Sequence, residues 1–455
     1  MFAVIAPAHR WRPLLLAALA CPLAAATAPE ELPRGRVIER VVCRADPTQS
    51  YALYLPAAYD PARAWPALLC FDPGGRGRVP VELFAPAAEQ FGYIVAGSNN
   101  SRNGPMGDNA TAVAALITDA GQRLVLDPRR LYAAGFSGGA RVAIQVAAAG
   151  VVHGVVACSA AYPGGETPPR VPFVLFGTAG TDDFNYPEML RSDEALDTLG
   201  TPHRVVFFPG RHDWPPPALA REALAWLELQ AMRTGVRPRD PAFVQAAFAQ
   251  RRAAALALSP PEAWREYKSL AADFAGLPEA AEAAVRARAL AKAPGVRAWR
   301  KEQRRMEAAQ QAEADELFAD ARDGRLEWMR RSAAELRQRG DAPADSPDRR
   351  VARRVLDGTA IGAIEQGQQC VADHRYGEAV QFMELAATLR PESPQTQYLL
   401  ARVCALNGER AAAFAALQAA VDAGFRDAAR AEGDAAFARL RSEPAWPGLL
   451  AAMRP

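Results

Sequence analysis

Ser137 stands in the sequence setting of an activated nucleophile. It is the centre of the run GFSGG at 135–139, which follows a β-rich segment and precedes a helical one. A sharp strand-to-helix turn of this kind exposes a serine hydroxyl above a sheet, and the N-terminus of the following helix favours developing negative charge. Because G-x-S-x-G alone also describes an ordinary tight turn, the flanking strand and helix are what favour a nucleophile.

A serine hydroxyl is a weak nucleophile without a base to accept its proton, and His212 is the predicted base. Of the other histidines in this part of the chain, His153 follows the serine too closely to leave room for an acid between them. His203 precedes the predicted strand 204–208, which would place it at the opposite edge of a parallel sheet. His212 follows that strand and is therefore expected at the same edge as Ser137.

The acid that orients the histidine is expected in the loop after the preceding strand, which offers Asp182 and Asp183. Its carboxylate would accept the imidazole N–H and stabilise the imidazolium. Asp183 is favoured because it completes a Gly180-x-x-Asp pattern and because Phe184 can bury it. Asp182 remains the alternative, and Asp213 is a weaker candidate because a direct neighbour of the histidine in the chain usually points elsewhere.

Two backbone N–H groups are needed to stabilise the oxyanion of an acyl-transfer reaction. Gly138 follows the nucleophile and is the first predicted donor. The glycine-rich loop DPGGRG at 72–77 follows another predicted strand, and either Gly75 or Arg76 is the second donor. No G-K-[ST] follows this loop, which excludes a phosphate cradle, and no metal-ligand spacing such as H-E-x-x-H occurs, so neither a cofactor nor a metal is predicted.

Three further residues are predicted to line a substrate pocket at the same edge of the sheet. Asn99 and Asn100 follow one predicted strand, and Trp214 lies two residues after the predicted base. The alternative for all three is packing or loop capping.

The elements that must position these residues alternate between strand and helix from about 36 to 230, which predicts βαβ crossovers and a largely parallel, doubly covered sheet. The first two strands are joined by a short polar link and are expected to form an antiparallel hairpin at the sheet edge. The predicted strands are 37–44, 51–55, 67–71, 93–97, 131–135, 154–158, 173–176 and 204–208. The predicted helices are 81–91, 109–122, 139–149, 186–199 and 219–233.

Over residues 36–230 the chain resembles the α/β-hydrolase superfamily. The resemblance is carried by GFSGG, the loop of Asp183, the run GRHDW at 210–214 and the run FDPGGRG at 71–77. Within the superfamily the chain is similar to secreted esterases of the polyhydroxybutyrate-depolymerase or dienelactone-hydrolase type. The resemblance implies a serine hydrolase that cleaves carboxylic esters through an acyl-enzyme, with Ser137, Asp183 and His212 as its triad.

After residue 238 the β signal ends, and the chain is rich in Ala, Arg, Glu and Gln with helical periodicity. A spacing of 34 residues relates Tyr376, Ala379, Met383 and Ala386 to Arg410, Ala413, Leu417 and Ala420. Small residues at fixed helix positions allow antiparallel helices to approach closely, and large ones fill the groove between them. Over about 360–427 this spacing resembles the tetratricopeptide repeat, and residues 428–450 are expected to form a terminal cap. Ordinary helical hairpins are the alternative.

The amino terminus has the pattern of an export signal. Basic residues precede the short apolar run 14–20, and small residues then offer cleavage after Ala26 or Ala28, the former being preferred because Pro29 would follow the latter site. The apolar run is too short to span a bilayer, so no integral membrane segment is expected after signal removal. A periplasmic or secreted protein is therefore predicted.

Composition limits the classes of partner. Half of the 455 residues are hydrophobic and the formal net charge is +2, so a large core can be buried but no positive field favours nucleic acid. Apart from Cys21 in the predicted signal, the odd number of cysteines and their wide spacing indicate neither a disulfide framework nor a zinc site.

The sequence thus predicts an α/β-hydrolase fold followed by an all-α helical-repeat domain. The predicted divisions are a signal peptide at 1–28, the α/β-hydrolase domain at 29–237, a charged helical region at 238–347 and the helical repeats with their cap at 348–455. The expected function is hydrolysis of a small ester, with a protein partner for the helical repeats. The alternative is a catalytically inactive hydrolase-fold scaffold whose repeats mediate protein–protein interaction.

Overall fold

The computed structural model describes residues 32–104 and 106–454, the side chain of residue 106 excepted. The predicted signal peptide at 1–28 lies outside the described residues. The chain forms two compact units that divide between Lys301 and Glu302, within one helix. This division lies between the boundaries that the sequence suggests at 237 and 347. The two units are described separately below.

Within the described part of the first unit, eight strands form one sheet in the order β1-β2-β4-β3-β5-β6-β7-β8. The pairs β1–β2 and β2–β4 are antiparallel and all the others are parallel, which confirms the edge hairpin and the mostly parallel sheet. The strands are β1 (Val37–Val42), β2 (Ser50–Tyr54), β3 (Trp65–Phe71), β4 (Ile94–Ser98), β5 (Leu126–Phe136), β6 (Gly154–Cys158), β7 (Val174–Gly180) and β8 (His203–Phe208). The strand order and the crossover helices are those of the α/β-hydrolase fold, as predicted.

Helices cover both faces of this sheet because its central strands are apolar on both faces. On β3, Leu68 packs into the core beneath one set of helices and Leu69 into the core beneath the other, as the two-residue period of a strand requires. The first set includes α1 (Arg78–Phe91) and α5 (Pro217–Arg233), and the second includes α2 (Met106–Arg123), α3 (Gly138–Ala148) and α4 (Tyr186–Leu199). All five lie where the sequence places a helix.

The largest departures from the predicted strand ends are in β5 and β7. β5 begins at Leu126, whose backbone pairs with Trp65 of β3, although the polar residues 127–130 hide this start from a hydropathy pattern. β7 continues to Gly180 because Thr178, Ala179 and Gly180 pair with β8, and such small residues carry little β signal. The extension of β7 matters for the site, because the loop that carries Asp182 and Asp183 begins directly at the end of this strand.

Three helices that follow the sheet also belong to the first unit, namely α6 (Pro241–Ala255), α7 (Pro260–Asp273) and α8 (Pro278–Ala291). Helix α7 begins with a capping box formed by Ser259 and Glu262. Helix α7 is tied to the sheet by Arg265, which donates to the carbonyl of Val205 at 3.0 Å. A ninth helix, α9 (Pro294–Arg322), contains the division between the units.

The second unit is helical throughout its described residues. It comprises the end of α9 followed by α10 (Leu326–Gly340), α11 (Pro347–Ala372), α12 (Tyr376–Leu389), α13 (Pro394–Leu406), α14 (Arg410–Asp422), α15 (Ala428–Gly433) and α16 (Trp446–Ala452), with a 3₁₀ turn at Ala435–Phe437. The first residues of α12 and α14 are 34 apart, as are the last residues of α11 and α13, so the helices follow the sequence period. Gly367 allows the close approach: a Cβ there would lie 2.8 Å from Cε of Met383.

The turn inside each helical pair is the same in both repeats. His374 and Gly408 occupy equivalent positions with positive φ angles of 58° and 84°. The next N–H in each case reaches back to a cysteine carbonyl, Arg375 to Cys370 and Glu409 to Cys404. A third turn at Gly324, with φ of 66°, joins α9 to α10 in the same manner, although the sequence around it does not show the 34-residue spacing.

Among the described residues no helix combines the length and the apolar character needed to cross a membrane.

Candidate active site

Ser137 occupies a strained turn between β5 and α3. Its backbone has φ of 52° and ψ of −120°, a conformation that costs a residue with a side chain of order 1–3 kcal/mol and is typical of functional sites. The Ser137 N–H donates to the carbonyl of Cys158 at 2.8 Å, which ties the turn to the neighbouring strand. The side chain is partly exposed at the carboxyl edge of the sheet.

Two of the three glycines of the GFSGG run, Gly135 and Gly139, are required by close backbone approach. A Cβ on Gly135 would lie 2.1 Å from the carbonyl oxygen of Gly139, and a Cβ on Gly139 would lie 2.0 Å from that of Phe71. Both distances are far inside van der Waals contact, so neither position accepts a side chain without movement of the backbone. The second contact also places the turn of Ser137 directly against the end of β3, where the glycine-rich loop begins.

His212 and Asp183 are brought together from loops 29 residues apart. The Nδ1 atom of His212 lies 2.9 Å from Oδ1 of Asp183, whose side chain is fully buried. The same carboxylate oxygen accepts the backbone N–H of Asn185 at 2.8 Å. This leaves Nε2 as the imidazole nitrogen available for proton transfer.

The imidazole is held between two aromatic rings. Its centroid is 4.6 Å from the ring of Phe136 and 4.2 Å from that of Phe184. Phe136 immediately precedes Ser137 in the chain, so this packing holds the base beside the nucleophilic turn. Phe184, which the sequence suggested as a cover for the acid, packs on the ring of the histidine.

The other two candidate acids have different surroundings. Asp182 is buried next to Asp183, and its N–H donates to the carbonyl of Gly210 at 2.8 Å, linking its loop to that of the histidine. Asp213 is exposed, and its carboxylate accepts the N–H of Trp214 at 2.7 Å. Within the described residues, His212 makes its hydrogen bond to neither of them but to Asp183.

The hydrogen bonds of the glycine-rich loop distinguish Gly75 from Arg76, the two candidates for the second oxyanion donor. The N–H of Gly75 is engaged in a turn, donating to the carbonyl of Asp72 at 3.0 Å, and the N–H of Gly74 donates to the Asp72 carboxylate at 2.8 Å. No acceptor is found within the described residues for the N–H of Arg76 or that of Gly138. The structure therefore leaves Arg76 and Gly138 as the free donors, and Gly75 serves to form the turn.

The asparagines expected to line a pocket cap the β1–β2 hairpin instead. Asn100 accepts the N–H of Ser50 at 2.9 Å and donates to the carbonyl of Thr48, while Asn99 donates to Oγ of Ser50. Their side-chain amides therefore stabilise the hairpin through hydrogen bonds. The pattern could not show this because the hairpin lies about 50 residues earlier in the chain.

Trp214 is buried beside the site rather than exposed in it. Its ring centroid lies 5.7 Å from that of Phe136, and its indole N–H donates to the carboxylate of Asp72 at 3.0 Å.

Ser159 and Asn185, which the sequence did not indicate, also link the loops of the site. Ser159, with φ of 60°, donates to the carbonyl of Asp213 at 3.2 Å and its own carbonyl accepts the side chain of Asn185. A serine at a strand end carries no signal for such a role.

The cysteines near the site are not candidate nucleophiles. Burial raises the pKa of the Cys158 thiol to about 12, and it raises that of Cys70 as well. A thiol is reactive as its thiolate, so both groups are inert near neutral pH. Within the described residues no group of three or more His, Cys, Asp or Glu side chains is arranged to hold a metal ion.

No family model matches the chain, and no curated protein matches it. Among solved structures, the fluorophosphonate-binding serine hydrolase F of Staphylococcus aureus is 14% identical, with 43% of this chain and 99% of that one covered at a TM-score of 0.35. The s-formylglutathione hydrolase of Staphylococcus aureus is 15% identical, with coverages of 44% and 99% and a TM-score of 0.35. Esterase B from Lactobacillus rhamnosis is 15% identical, with coverages of 50% and 92% and a TM-score of 0.36. At these values the likenesses carry no argument about activity or substrate.

Proposed function

We propose that the protein is a serine hydrolase that cleaves carboxylic esters through an acyl-enzyme. The observation that carries the proposal is the hydrogen bond from His212 to buried Asp183, with the imidazole packed on Phe136 beside the strained turn of Ser137. Nucleophile, acid and base follow one another along the chain in the order typical of the fold. A scaffold without activity would have no need of backbone strain at the serine.

In the first half of the reaction Oγ of Ser137 attacks the ester carbonyl while Nε2 of His212 takes its proton. Asp183 fixes the tautomer that leaves Nε2 free and stabilises the imidazolium that forms. The carbonyl oxygen becomes an oxyanion and is stabilised by the N–H groups of Gly138 and Arg76. One such donor is typically worth about 100- to 1,000-fold in kcat.

The tetrahedral intermediate then collapses as the bond to the alkoxy group breaks. The proton on Nε2 of His212 passes to the departing alcohol, and the acyl group remains on Ser137. Water attacks this acyl-enzyme with His212 again as base, and the second collapse releases the carboxylic acid and restores the hydroxyl.

The first test is covalent labelling of the purified protein with a fluorophosphonate probe. We expect the wild-type chain to be labelled and the Ser137→Ala variant to be unlabelled while it stays folded by circular dichroism, because the variant removes only the attacking oxygen. Turnover of p-nitrophenyl acetate is expected to fall by at least about 1,000-fold in the same variant. Labelling that survives Ser137→Ala, or the absence of labelling in the wild type, would overturn the proposal and favour the scaffold alternative.

A further inference from the structure

Asp72 is a buried carboxylate that the proposed reaction does not itself use. It lies immediately after β3, and it is wholly inaccessible to solvent. Among the described residues its carboxylate accepts hydrogen bonds from Gly74 N at 2.8 Å, Arg76 Nε at 2.8 Å, Arg76 Nη2 at 3.0 Å and Trp214 Nε1 at 3.0 Å. Burying a charged group is costly unless such partners satisfy it, so this arrangement needs a reason beyond packing.

Three of the four hydrogen bonds come from Gly74 and Arg76 in the glycine-rich loop at 72–77, here called the oxyanion loop. The bond from Gly74 N to the side chain and the bond from Gly75 N to the carbonyl of Asp72 turn the backbone, so that the next unengaged N–H is that of Arg76. Asp72 also clamps the side chain of Arg76 with two parallel bonds, the geometry that restricts an arginine most. The hydrogen bond to Asp72 raises the pKa of the Arg76 guanidinium.

The remaining donor comes from the loop at 209–216, here called the histidine loop. Trp214 lies two residues after His212, and its ring packs on Phe136 at 5.7 Å and on Phe84 at 6.3 Å between centroids. Its bond to Asp72 spans 142 residues of sequence. One carboxylate therefore holds both the loop that offers the oxyanion donor and the loop that offers the base.

We propose that Asp72 is a positioning residue of the active site. It holds the backbone N–H of Arg76 and the imidazole of His212 in fixed positions relative to Ser137. This inference rests on the proposed function. Catalytic groups must be held within about 0.5 Å of their productive geometry, and a single rigid anchor for two loops achieves this. Asp72 touches no reacting atom and acts through Arg76 and Trp214.

The test is the Asp72→Asn variant, with kcat expressed per site labelled by the fluorophosphonate probe. An asparagine has the same size but puts an NH₂ group against the guanidinium or the indole, which breaks the four-bond arrangement. We expect kcat per labelled site for p-nitrophenyl acetate to fall about 10- to 100-fold with KM changed less than about 3-fold, because the loss acts on the transition state.

Asp119→Asn is the matched control. Asp119 is also a buried carboxylate in the first unit, also bonded to an arginine four residues later, Arg123, and to the hydroxyl of Tyr51. It lies outside the site loops, so its loss is expected to lower stability while kcat per labelled site stays within about 2-fold of wild type. A purely structural role for Asp72 predicts that both variants behave like Asp119→Asn, and that outcome would overturn the inference.

Two further variants decide the matter should Asp72→Asn not fold. Trp214→Phe removes the indole N–H together with part of the buried ring, and Arg76→Met removes the clamp but keeps the backbone N–H. Each is expected to lower kcat per labelled site about 3- to 10-fold, and Arg76→Lys is expected to recover part of the loss seen with methionine. Wild-type kcat in both Trp214→Phe and Arg76→Met would overturn the inference while leaving the proposed function in place. A wild-type chain that the probe does not label would overturn both.

Discussion

At the scale of single residues, the site depends on which of two adjacent carboxylates reaches the histidine. Asp182 and Asp183 share a loop, a residue type and near-complete burial, so they form a natural pair of variants. The chain turns after β7 such that Asp183 Oδ1 meets Nδ1 of His212, while the backbone of Asp182 is bonded to Gly210.

We predict that Asp183→Asn lowers kcat for p-nitrophenyl acetate by about 10⁴-fold, because an amide no longer enforces the tautomer that leaves Nε2 free. Asp182→Asn is expected to stay within about 10-fold of wild type. Steady-state kinetics on both variants, normalised to folded protein by circular dichroism, checks this. Loss of activity in Asp182→Asn alone would assign the acid to the other residue.

At the scale of elements, a cluster of charges joins α4, β8 and α7. The buried carboxylate of Asp193 on α4 faces His203 at 3.3 Å, together with Arg265 and Lys268 of α7, each at 3.3 Å. Burial opposes the charge on Asp193, but the cations around it outweigh this and hold its pKa well below the usual range. Burial likewise opposes protonation of His203, but the hydrogen bond and charge of Asp193, with further contributions from the Thr201 carbonyl and Asp197, raise its pKa.

This raised pKa predicts a stability that depends on pH. A histidine whose pKa is higher in the folded chain contributes stability that is complete below its unfolded pKa of about 6.5 and is lost as the pH rises through the folded value. We therefore expect His203→Gln to lower the free energy of unfolding by about 1.5 kcal/mol at pH 6 and by less at pH 8.

Urea unfolding followed by tryptophan fluorescence at the two pH values measures this difference. His153→Gln is the matched control, because His153 is exposed and its ring is hydrogen-bonded to the carbonyl of Pro128 rather than to a charged group. An equal loss in His203→Gln at both pH values would contradict a charged histidine in the cluster.

At the scale of the whole molecule, a unit built on a sheet is followed along the chain by a helical unit. All five cysteines within the described residues are buried and unpaired, so the fold relies on no disulfide there. In the helical unit the recurring turns show that the 34-residue spacing reflects recurring helical pairs. We propose that these helical pairs are tetratricopeptide-like repeats and that they bind a protein partner.

Export is testable on the full chain. We predict that expression in a bacterium yields a periplasmic or secreted form whose intact mass corresponds to cleavage after Ala26, because the small residues before that bond fit the signal-cleavage site. A charge in the apolar run, as in Leu16→Arg, is expected to block export and leave the uncleaved chain in the cells. A wild-type chain that retains its first 26 residues would contradict the prediction.

The sequence by itself determined the features that depend on neighbours in the chain. The order of strands and helices follows from local periodicity, and the turn at Ser137 follows from glycines that stand within two residues of it. The α/β-hydrolase fold was predicted correctly for this reason. The strand ends are misplaced most where polar or small residues obscure the pattern, as in 127–130 of β5 and 178–180 of β7.

Only the tertiary structure decided how distant loops meet at the edge of the sheet. In the folded chain Asp183 rather than Asp182 is hydrogen-bonded to His212. The N–H of Gly75 is engaged in a turn, whereas that of Arg76 is free within the described residues. The side chains of Asn99 and Asn100 are hydrogen-bonded to the β1–β2 hairpin. The carboxylate of Asp72 is hydrogen-bonded to Trp214. Hydrogen bonds act over about 3 Å in space whatever the separation in sequence, so these choices become visible only once the strands have set the loops side by side.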